Sequence, residues 1–268
     1  MSAFLTAENL RRSFATGRGG LFRPAPRFFA VDGVSLELEK GQTLGIVGES
    51  GCGKSTLSKL ILGLIEADGG SVRLGGQETL NLADADWRAM RRRMQLVYQD
   101  AAGALDPRMT VRAQVEEPLR IHGLPLGAAE EALRAVGLNG AMAGRYPHEM
   151  SGGQLQRVVI ARALAQDTAL VLADEPIASL DPAHQISTMQ TFATLAQEGR
   201  SVLVSMHDLG LAARHCTRLI LLGEGRLIAD GLPGEVLTAE RLARVFGITA
   251  WFSQTDDGPV FQPLEVIR

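Results

Sequence analysis

The segment from Gly48 to Thr56 constrains this chain more than any other stretch, because it fits the pattern G-x-x-x-x-G-K-[ST] at every position. The short apolar run 43–47 before it predicts a buried strand, and leucines recur at helical spacing after it. A glycine-rich loop between a strand and a helix can bind phosphate, because its backbone N–H groups and the helix dipole attract anions. The alternative, a glycine-rich turn that binds nothing, is disfavoured by the flanking strand and helix. The predicted binding residues are Gly48, Glu49, Ser50, Gly51, Cys52, Gly53, Lys54, Ser55 and Thr56.

Three side chains of this loop have distinct expected roles. Lys54 supplies a positive charge for the β- and γ-phosphates of a nucleotide, and the Ser55 hydroxyl supplies a ligand for Mg²⁺. Thr56 is a further donor. Cys52 lies near the start of the helix, an environment that can lower a thiol pKa. We therefore expect alkylation of Cys52 to inactivate the protein and bound ATP to protect it.

The composition sets the broad class of protein. The chain has 268 residues, of which 46% are apolar, and a formal charge of −3. This balance argues against nucleic-acid binding, which needs a basic surface. Two cysteines, Cys52 and Cys216, are too few for a disulfide framework. No apolar run approaches the roughly 20 residues of a membrane span, so work at a membrane would require other chains.

The order of the predicted elements indicates an α/β fold with a P-loop NTPase core. Runs 2–10, 34–39 and 72–74 predict an N-terminal antiparallel β subdomain, with a long loop at 15–28. Apolar runs alternating with helices predict a parallel sheet, and these runs are 43–47, 94–98, 169–173 and 202–206. Residues 106 to about 150 predict only helices, broken at Pro118, Pro125 and Pro147, and residues 218–229 predict a hairpin.

Two carboxylates follow the predicted strand 169–173, where ligands of a parallel sheet bind. Asp174 is placed to hold Mg²⁺, and Glu175 to orient or deprotonate a water that attacks the γ-phosphate. His207 follows the strand 202–206 and reaches the same edge, so it is a candidate γ-phosphate contact. An acidic turn and a structural histidine are the alternatives.

A second candidate anion site begins the helix after Met150. Ser151 is followed by two glycines, and a serine cap with exposed N–H groups can hold an anion. A simple capped helix is the alternative. The residues of this segment are Ser151, Gly152, Gly153 and Gln154.

Taken in order, these motifs resemble the ATP-binding subunit of ABC transporters over about residues 3–235. The glycine loop, Gln99 after a strand, Ser151-Gly152-Gly153-Gln154, Asp174-Glu175, Ser179-Leu180-Asp181 and His207 carry the resemblance. It implies a single ABC ATPase domain over 1–268, with a helical subdomain at about 106–165 and a short C-terminal extension at about 236–268. It also implies ATP and Mg²⁺ as cofactors.

The resemblance implies further site residues. Phe14 would stack on adenine, with Phe22, Phe28 or Phe29 as alternatives. Gln99 would contact the γ-phosphate and Mg²⁺ and report to the helical subdomain. ATP would lie between the glycine loop of one subunit and the Ser151 segment of a second, with Asp181 communicating across that interface.

Segments of the sequence resemble two branches of the importers. Residues 97–123 look like the oligopeptide and nickel importers, whereas 180–185 and 207–214 look like the iron-siderophore, haem and cobalamin importers. The implied function is an ATP-hydrolysing motor that powers uptake of a metal chelate, peptide or nickel-type solute. The C-terminal tail common in peptide importers is absent from the sequence, which counts against that cargo.

The implied partners are a second ATP-binding subunit, identical or related, transmembrane permease subunits and, indirectly, a solute-binding protein. The implied location is the cytoplasmic face of the inner membrane, as a peripheral protein. A soluble ABC-type ATPase acting in assembly or repair is the alternative. A small-molecule kinase is disfavoured by Glu175 and the Ser151 segment, which suit attack by water.

Overall fold

The computed structural model of the chain describes residues 3–17, 25–98, 100–138, 140–178, 180–256 and 258–267, and the backbone but not the side chain of Asp84. The predicted Gln99 and Phe22, and Ser179 of the motif before Asp181, lie outside the described residues. The strands are β1 (Leu5–Ala15), β2 (Arg27–Leu38), β3 (Thr43–Gly48), β4 (Gly69–Leu74), β5 (Gln77–Glu78), β6 (Met94–Val97), β7 (Leu170–Asp174), β8 (Ser201–Ser205), β9 (Arg218–Gly223), β10 (Arg226–Gly231), β11 (Ile248–Thr255) and β12 (Gly258–Val266). The helices are α1 (Lys54–Ile61), α2 (Asp84–Arg91), α3 (Val111–His122), α4 (Ala128–Ala135), α5 (Gly140–Ala143), α6 (Gly152–Gln166), α7 (Pro182–Gln197), α8 (Leu209–His215), α9 (Pro233–Val236) and α10 (Ala239–Phe246), with a 3₁₀ turn at Pro147–Glu149.

The predicted parallel sheet is confirmed. Six strands lie in the order β10-β9-β3-β8-β7-β6, in which β9 to β6 run parallel and β10 pairs antiparallel with β9. Both faces are covered by apolar side chains, one by a core that includes α6 and α7 and the other by a core that includes α1 and the N-terminal strands. This explains why the parallel strands read as continuous apolar runs. The carboxyl ends of β3, β7 and β8 meet at one edge.

The N-terminal antiparallel sheet is also confirmed, in the order β2-β1-β4-β5, but the predicted bounds of its first loop are wrong. β1 continues to Ala15 and β2 begins at Arg27, with Ala15 paired to Arg27 and Phe14 to Phe28. The Arg27 side chain stabilises this extension by donating from Nε to Ser13 Oγ at 2.7 Å. Paired aromatics on neighbouring strands add to it.

One further prediction requires correction. Pro118 lies inside α3 and does not end it, because its ring is buried with Val115 and Leu119 on the packed face of the helix. The segment beyond residue 236 holds a β-hairpin, β11 and β12, that the sequence reading left as an extension. β11 ends at Thr255, which pairs with Gly258 at the start of β12, and Gly258 has a φ of 107°.

The stretch between β6 and β7 contains only helices among its described residues, as predicted. α6 packs against α3 and α4 and carries the apolar core from this helical part into the sheet. Across the described parts of the chain, no helix is both long and apolar enough to cross a membrane.

The packing of Gly63 gives a prediction about the core. Gly63 and Gly123 both end helices in the left-handed region, at φ of 61° and 64°. A Cβ on Gly63 would lie 2.0 Å from the Trp87 ring, whereas a Cβ on Gly123 would meet nothing within 4 Å. We expect Gly123→Ala to lower the free energy of unfolding by about 1–2 kcal/mol. Gly63→Ala should lower it by about 1–3 kcal/mol more, because the indole must move.

Denaturant unfolding of both variants and the parent protein measures this difference. Equal losses in the two variants would show that the indole gives way without cost, and would contradict the prediction.

Candidate active site

The glycine loop closes around its own lysine. β3 ends at Gly48 and α1 begins at Lys54, with Gly53 between them at a φ of 108°. Lys54 is only 3% exposed, and its Nζ donates to the carbonyls of Gly48 and Glu49, both at 2.9 Å. The ammonium therefore lies in the centre of the loop, bonded to oxygens that a phosphate oxygen can replace.

Asp174 is brought to this loop as predicted. Its Oδ1 accepts a hydrogen bond from Ser55 Oγ at 3.0 Å and another from Ser205 Oγ at 2.6 Å. The Ser55–Asp174 contact joins α1 to the end of β7, across 119 positions of the sequence. The expected metal ligands Ser55 and Asp174 are thus neighbours.

These two residues fit a magnesium ion. A hydroxyl and a carboxylate are hard oxygen ligands, and Mg²⁺ in nucleotide sites takes one or two such protein ligands and completes its shell with phosphate and water. Within the described ranges, no group of three or more His, Cys, Asp or Glu side chains is arranged to hold a metal by itself. A cation at Ser55 and Asp174 would therefore depend on a bound nucleotide.

Glu175 and His207 are in direct contact at the same edge. Glu175 Oε1 lies 2.5 Å from His207 Nε2, and the other ring nitrogen of His207 lies 3.4 Å from Lys54 Nζ. Glu175 has a φ of 48°, an unusual left-handed conformation for a residue with a side chain. Such backbone strain is often found at functional sites.

A cavity of about 280 Å³ opens beside the loop. Phe14 and Phe28 line it, together with Lys54, Ser55 and Glu175. Both rings are more than two fifths exposed, as a stacking platform for a base would require. The structure therefore places two of the predicted aromatics, Phe14 and Phe28, at this cavity, whereas Phe29 does not line it. Arg12 lies over the Phe14 ring, 5.0 Å from its centre.

The Ser151 segment begins α6 and lies apart from this cavity. Ser151 caps the helix, accepting from the Gln154 N–H at 3.4 Å, and the Gln154 side chain accepts from the Ser151 N–H at 3.0 Å. Gly152 and Gly153 follow in the first turn of α6. Neither they, Ser151, Gln154 nor Asp181 lines the cavity beside the glycine loop.

Asp181 is joined to the Ser151 segment by a residue that the sequence reading missed. Asp181 caps α7 by accepting from the His184 N–H at 3.1 Å, and its other oxygen lies 2.6 Å from His184 Nδ1. These contacts, the backbone one first, lower the pKa of the Asp181 carboxyl. The His184 ring rests on Gly153, where an added Cβ would lie 2.9 Å from a ring carbon.

Ser205 is the second missed residue. It ends β8 next to Asp174, and its hydroxyl is fully buried. A polar side chain at the carboxyl end of a strand with an apolar centre was the available signal. Neither its neighbour nor its bond partner could be identified without the strand register.

The expectation of an activated Cys52 thiol is wrong. Cys52 is 6% exposed, and burial raises the pKa of its thiol, although Lys54 acts in the opposite direction. The helix start does not compensate for lost hydration of the thiolate. Cys216 is also buried, which raises the pKa of its thiol to about 12 and agrees with its expected role as a small apolar residue. Protection of Cys52 by ATP stays a prediction.

Comparisons with known proteins decide the family. The family model described as "ABC transporter" matches residues 31–178. The chain belongs to the ABC transporter family. It is 39% identical to the oligopeptide transport ATP-binding protein OppF of Escherichia coli K12 over 82% of this chain and 68% of that protein. It is also 39% identical to the nickel import ATP-binding protein NikE of Rhodospirillum rubrum, over 86% of this chain and 84% of that protein.

Solved structures agree with this assignment of the chain to the ABC family. A dimeric ATP-binding cassette in a post-hydrolysis state, bound to ADP and Pi, superposes with a TM-score of 0.77 at 30% identity, over 86% of this chain and 99% of that chain. A dimeric bacterial ABC transporter cassette superposes with a TM-score of 0.76 at 29% identity, over 86% and 99%. The predicted fold class, an ABC-type ATPase with a parallel sheet, an antiparallel β part and helices, is confirmed.

Burial of Cys52 predicts slow alkylation. Because its pKa is raised, the thiol stays protonated at neutral pH, and thiolate is the form that reacts with iodoacetamide. We expect Cys52 in the folded protein to react at least several-fold more slowly than in the urea-unfolded chain at pH 7.5. The rate should still be rising above about pH 10, where a thiol of ordinary pKa is almost fully ionised.

Peptide mass spectrometry after timed quenching separates Cys52 from Cys216, which should stay unlabelled until the protein unfolds. Labelling of Cys52 at the unfolded rate at pH 7.5 would mean that its thiol is accessible and ionised, against the structure.

Proposed function

We propose that this ABC family member is the ATP-binding and ATP-hydrolysing motor of an importer, working through separate membrane subunits. One observation carries the proposal: the glycine-loop lysine, a hydroxyl and two carboxylates from separate segments converge at the carboxyl edge of a parallel sheet. The curated relatives above are ATP-binding proteins of oligopeptide and nickel importers, which supports import over a soluble role in assembly or repair.

The residues act on the nucleotide in a definite arrangement. Lys54 leaves the carbonyls of Gly48 and Glu49 and contacts the β- and γ-phosphates. Ser55 and Asp174 would hold Mg²⁺, which supplies charge neutralisation to the phosphates. Phe14 or Phe28 stacks on the base.

Glu175 and His207 have different roles in hydrolysis. Glu175 accepts the proton of the attacking water, and the His207 ring turns from Glu175 to the γ-phosphate. Their contact of 2.5 Å engages the base, and a γ-phosphate would compete with Glu175 for His207. Water attack is thereby tied to the presence of a triphosphate.

A second copy or a related subunit completes the site. The Ser151 segment and Asp181 do not line the cavity beside the glycine loop, and the N–H groups of Gly152 and Gly153 in the first turn of α6 can bind the nucleotide of another subunit. The dimeric cassettes among the solved structures support this arrangement. Gln99 keeps its proposed γ-phosphate and Mg²⁺ contacts. We also keep the proposed division into one domain over 1–268, a helical subdomain at about 106–165 and an extension at about 236–268.

The membrane subunits dock, in this proposal, in a groove of about 410 Å³ between the sheet and the helical part. Its apolar floor includes Leu96 and Pro118, and the exposed Ile121 stands at its side. Arg88 and Arg91 give it a positive rim, and the pKa of His122 is lowered by burial and by nearby arginines. A short amphipathic helix with acidic side chains fits this groove. The proposed location stays the cytoplasmic face of the inner membrane, as a peripheral protein.

The proposed cargo is a peptide or a nickel-type solute, since these are the cargoes in the names of the relatives. A solute-binding protein that delivers the cargo to the membrane subunits is the remaining proposed partner, and contact with this chain is indirect. The iron-siderophore, haem and cobalamin resemblance of residues 180–185 keeps a metal chelate as the alternative cargo.

Glu175→Gln tests the hydrolytic assignment. The amide cannot accept the water proton, so we expect ATP turnover to fall by a factor on the order of 100 or more while ATP binding is retained. The variant should accumulate as a dimer with ATP. Glu224→Gln is the matched control, because Glu224 also has a left-handed backbone, at a φ of 49°, in the turn between β9 and β10.

Phosphate release and size-exclusion chromatography with ATP measure both effects. Wild-type turnover in Glu175→Gln would remove Glu175 as the base. Loss of activity in Glu224→Gln as well would point to a general effect of the substitution.

Ile121→Glu tests the docking groove. Ile121 is 64% exposed, and a negative charge beside an apolar groove disfavours an acidic amphipathic partner. We expect about a tenfold or greater loss of co-purification with membrane subunits encoded beside this chain, with ATP turnover by the isolated protein unchanged. Ile186→Glu is the control, since Ile186 is 44% exposed on α7 and does not line the groove.

Co-expression and quantitative affinity purification measure the recovery of the membrane subunits. Full recovery with Ile121→Glu would place their docking elsewhere.

A further inference from the structure

Ser205 links the two carboxylates of the proposed ATP site. Ser205 and Asp174 are register partners at the ends of the parallel strands β8 and β7. Their side chains lie on one face of the sheet, because paired residues of neighbouring strands project to the same side. Ser205 Oγ lies 2.6 Å from Asp174 Oδ1 and 3.1 Å from the backbone nitrogen of Glu175.

The hydrogen-bond directions follow from the groups involved. An ionised carboxylate only accepts, so the single Ser205 hydroxyl proton is donated to Asp174. The Ser205 oxygen in turn accepts from the Glu175 N–H, which also donates to the Ser205 carbonyl at 3.1 Å. One buried side chain therefore binds the metal carboxylate and the backbone of the base.

This linkage leaves the second oxygen of Asp174 available. Oδ1 receives the hydroxyls of Ser55 and Ser205, whereas no donor from the described part of the chain reaches Oδ2. When Ser55 turns its hydroxyl oxygen to a cation, Ser205 is the remaining donor that fixes the direction of the carboxylate. A bond from a buried hydroxyl to a charged group is among the stronger hydrogen bonds in proteins, and Ser205 is fully buried.

The same contact supports the backbone of Glu175. A left-handed residue with a side chain persists where its surroundings hold it. The forked hydrogen bond from the Glu175 N–H to Ser205 holds the peptide at the residue with a φ of 48°. The direction of the Glu175 side chain therefore depends on the same serine that orients Asp174.

From this geometry we propose that Ser205 is a positioning residue: it orients Asp174, and this orientation produces the gain in nucleotide affinity when the metal binds. The proposal rests on the proposed function, since it assumes that Asp174 takes a cation with ATP. Ser205 touches neither the nucleotide nor the cation. Its effect passes through Asp174 for binding and through Glu175 for turnover.

The test compares nucleotide affinity with and without the metal. A fluorescent ATP analogue is titrated into Ser205→Ala in excess EDTA and in Mg²⁺. We expect the affinity in EDTA to match the parent protein, because the glycine loop is intact, and the gain on adding Mg²⁺ to fall about tenfold. Ser205→Cys, which keeps the volume with a weak donor, should behave like Ser205→Ala, and Ser205→Thr, which keeps the hydroxyl, should restore the gain to within about threefold.

Ser201→Ala is the matched control. Ser201 lies four residues away on the same face of β8, is also fully buried, and donates to the Glu39 carbonyl at 3.1 Å, remote from both carboxylates. It should keep the full gain from Mg²⁺ while losing a comparable hydrogen bond. Melting without nucleotide verifies that all four variants fold.

The outcomes separate the two proposals. A full Mg²⁺ gain in both Ser205→Ala and Ser205→Cys would overturn the role of Ser205 and leave the proposed function standing. Loss of affinity in EDTA would also overturn it, because the effect would then be on the loop. Absence of any Mg²⁺ gain in the parent protein would overturn the proposed function itself.

Discussion

The site depends on the register of three parallel strands. β3, β8 and β7 pair so that Ile46, Ser205 and Asp174 lie in one row across the sheet. The glycine loop follows the first strand, His207 follows the second and Glu175 follows the third. A shift of one residue in any strand would turn its side chains to the other face and separate the groups. The apolar cores on both faces of the sheet hold this register, so the chemistry at the edge rests on packing well away from it.

The charged side chains of the site are bonded to other groups of the protein. Lys54 is held by two carbonyls, Asp174 by two hydroxyls and Glu175 by His207. A buried charge without a partner would be costly, and these bonds offset that cost. Binding is then an exchange of partners, in which phosphate oxygens replace groups of the protein. This exchange favours ligands whose phosphate oxygens can replace all of the protein groups that are displaced.

Local patterns in the sequence identified most of the fold and the central site. The glycine loop, the paired carboxylates and the histidine each follow an apolar run, and a parallel sheet brings the ends of such runs together. Phe14 lines the cavity beside the glycine loop, as its predicted role requires. The place of Phe28 beside it depends on the pairing of β1 with β2, which could not be predicted because glycines and prolines fill the intervening loop. The roles of Ser205 and His184 could not be predicted, because each depends on a contact that is distant in the sequence. Ser205 bonds to Asp174, 31 positions away, and His184 packs against Gly153. The prediction of a lowered pKa for Cys52 was wrong for a different reason, because proximity to a helix start does not indicate whether a thiol is buried.

The contact of His184 with Gly153 has a mechanical consequence for a pair of cassettes. Asp181 holds the imidazole, and the imidazole packs against Gly153 in the first turn of α6, so the start of α7 and the start of α6 are coupled to each other. In the proposed pair of subunits, these two helix starts would belong to the surface that one subunit presents to its neighbour. That surface would approach or withdraw as one stiff plate, and the two nucleotides of the pair would be gripped or released in concert.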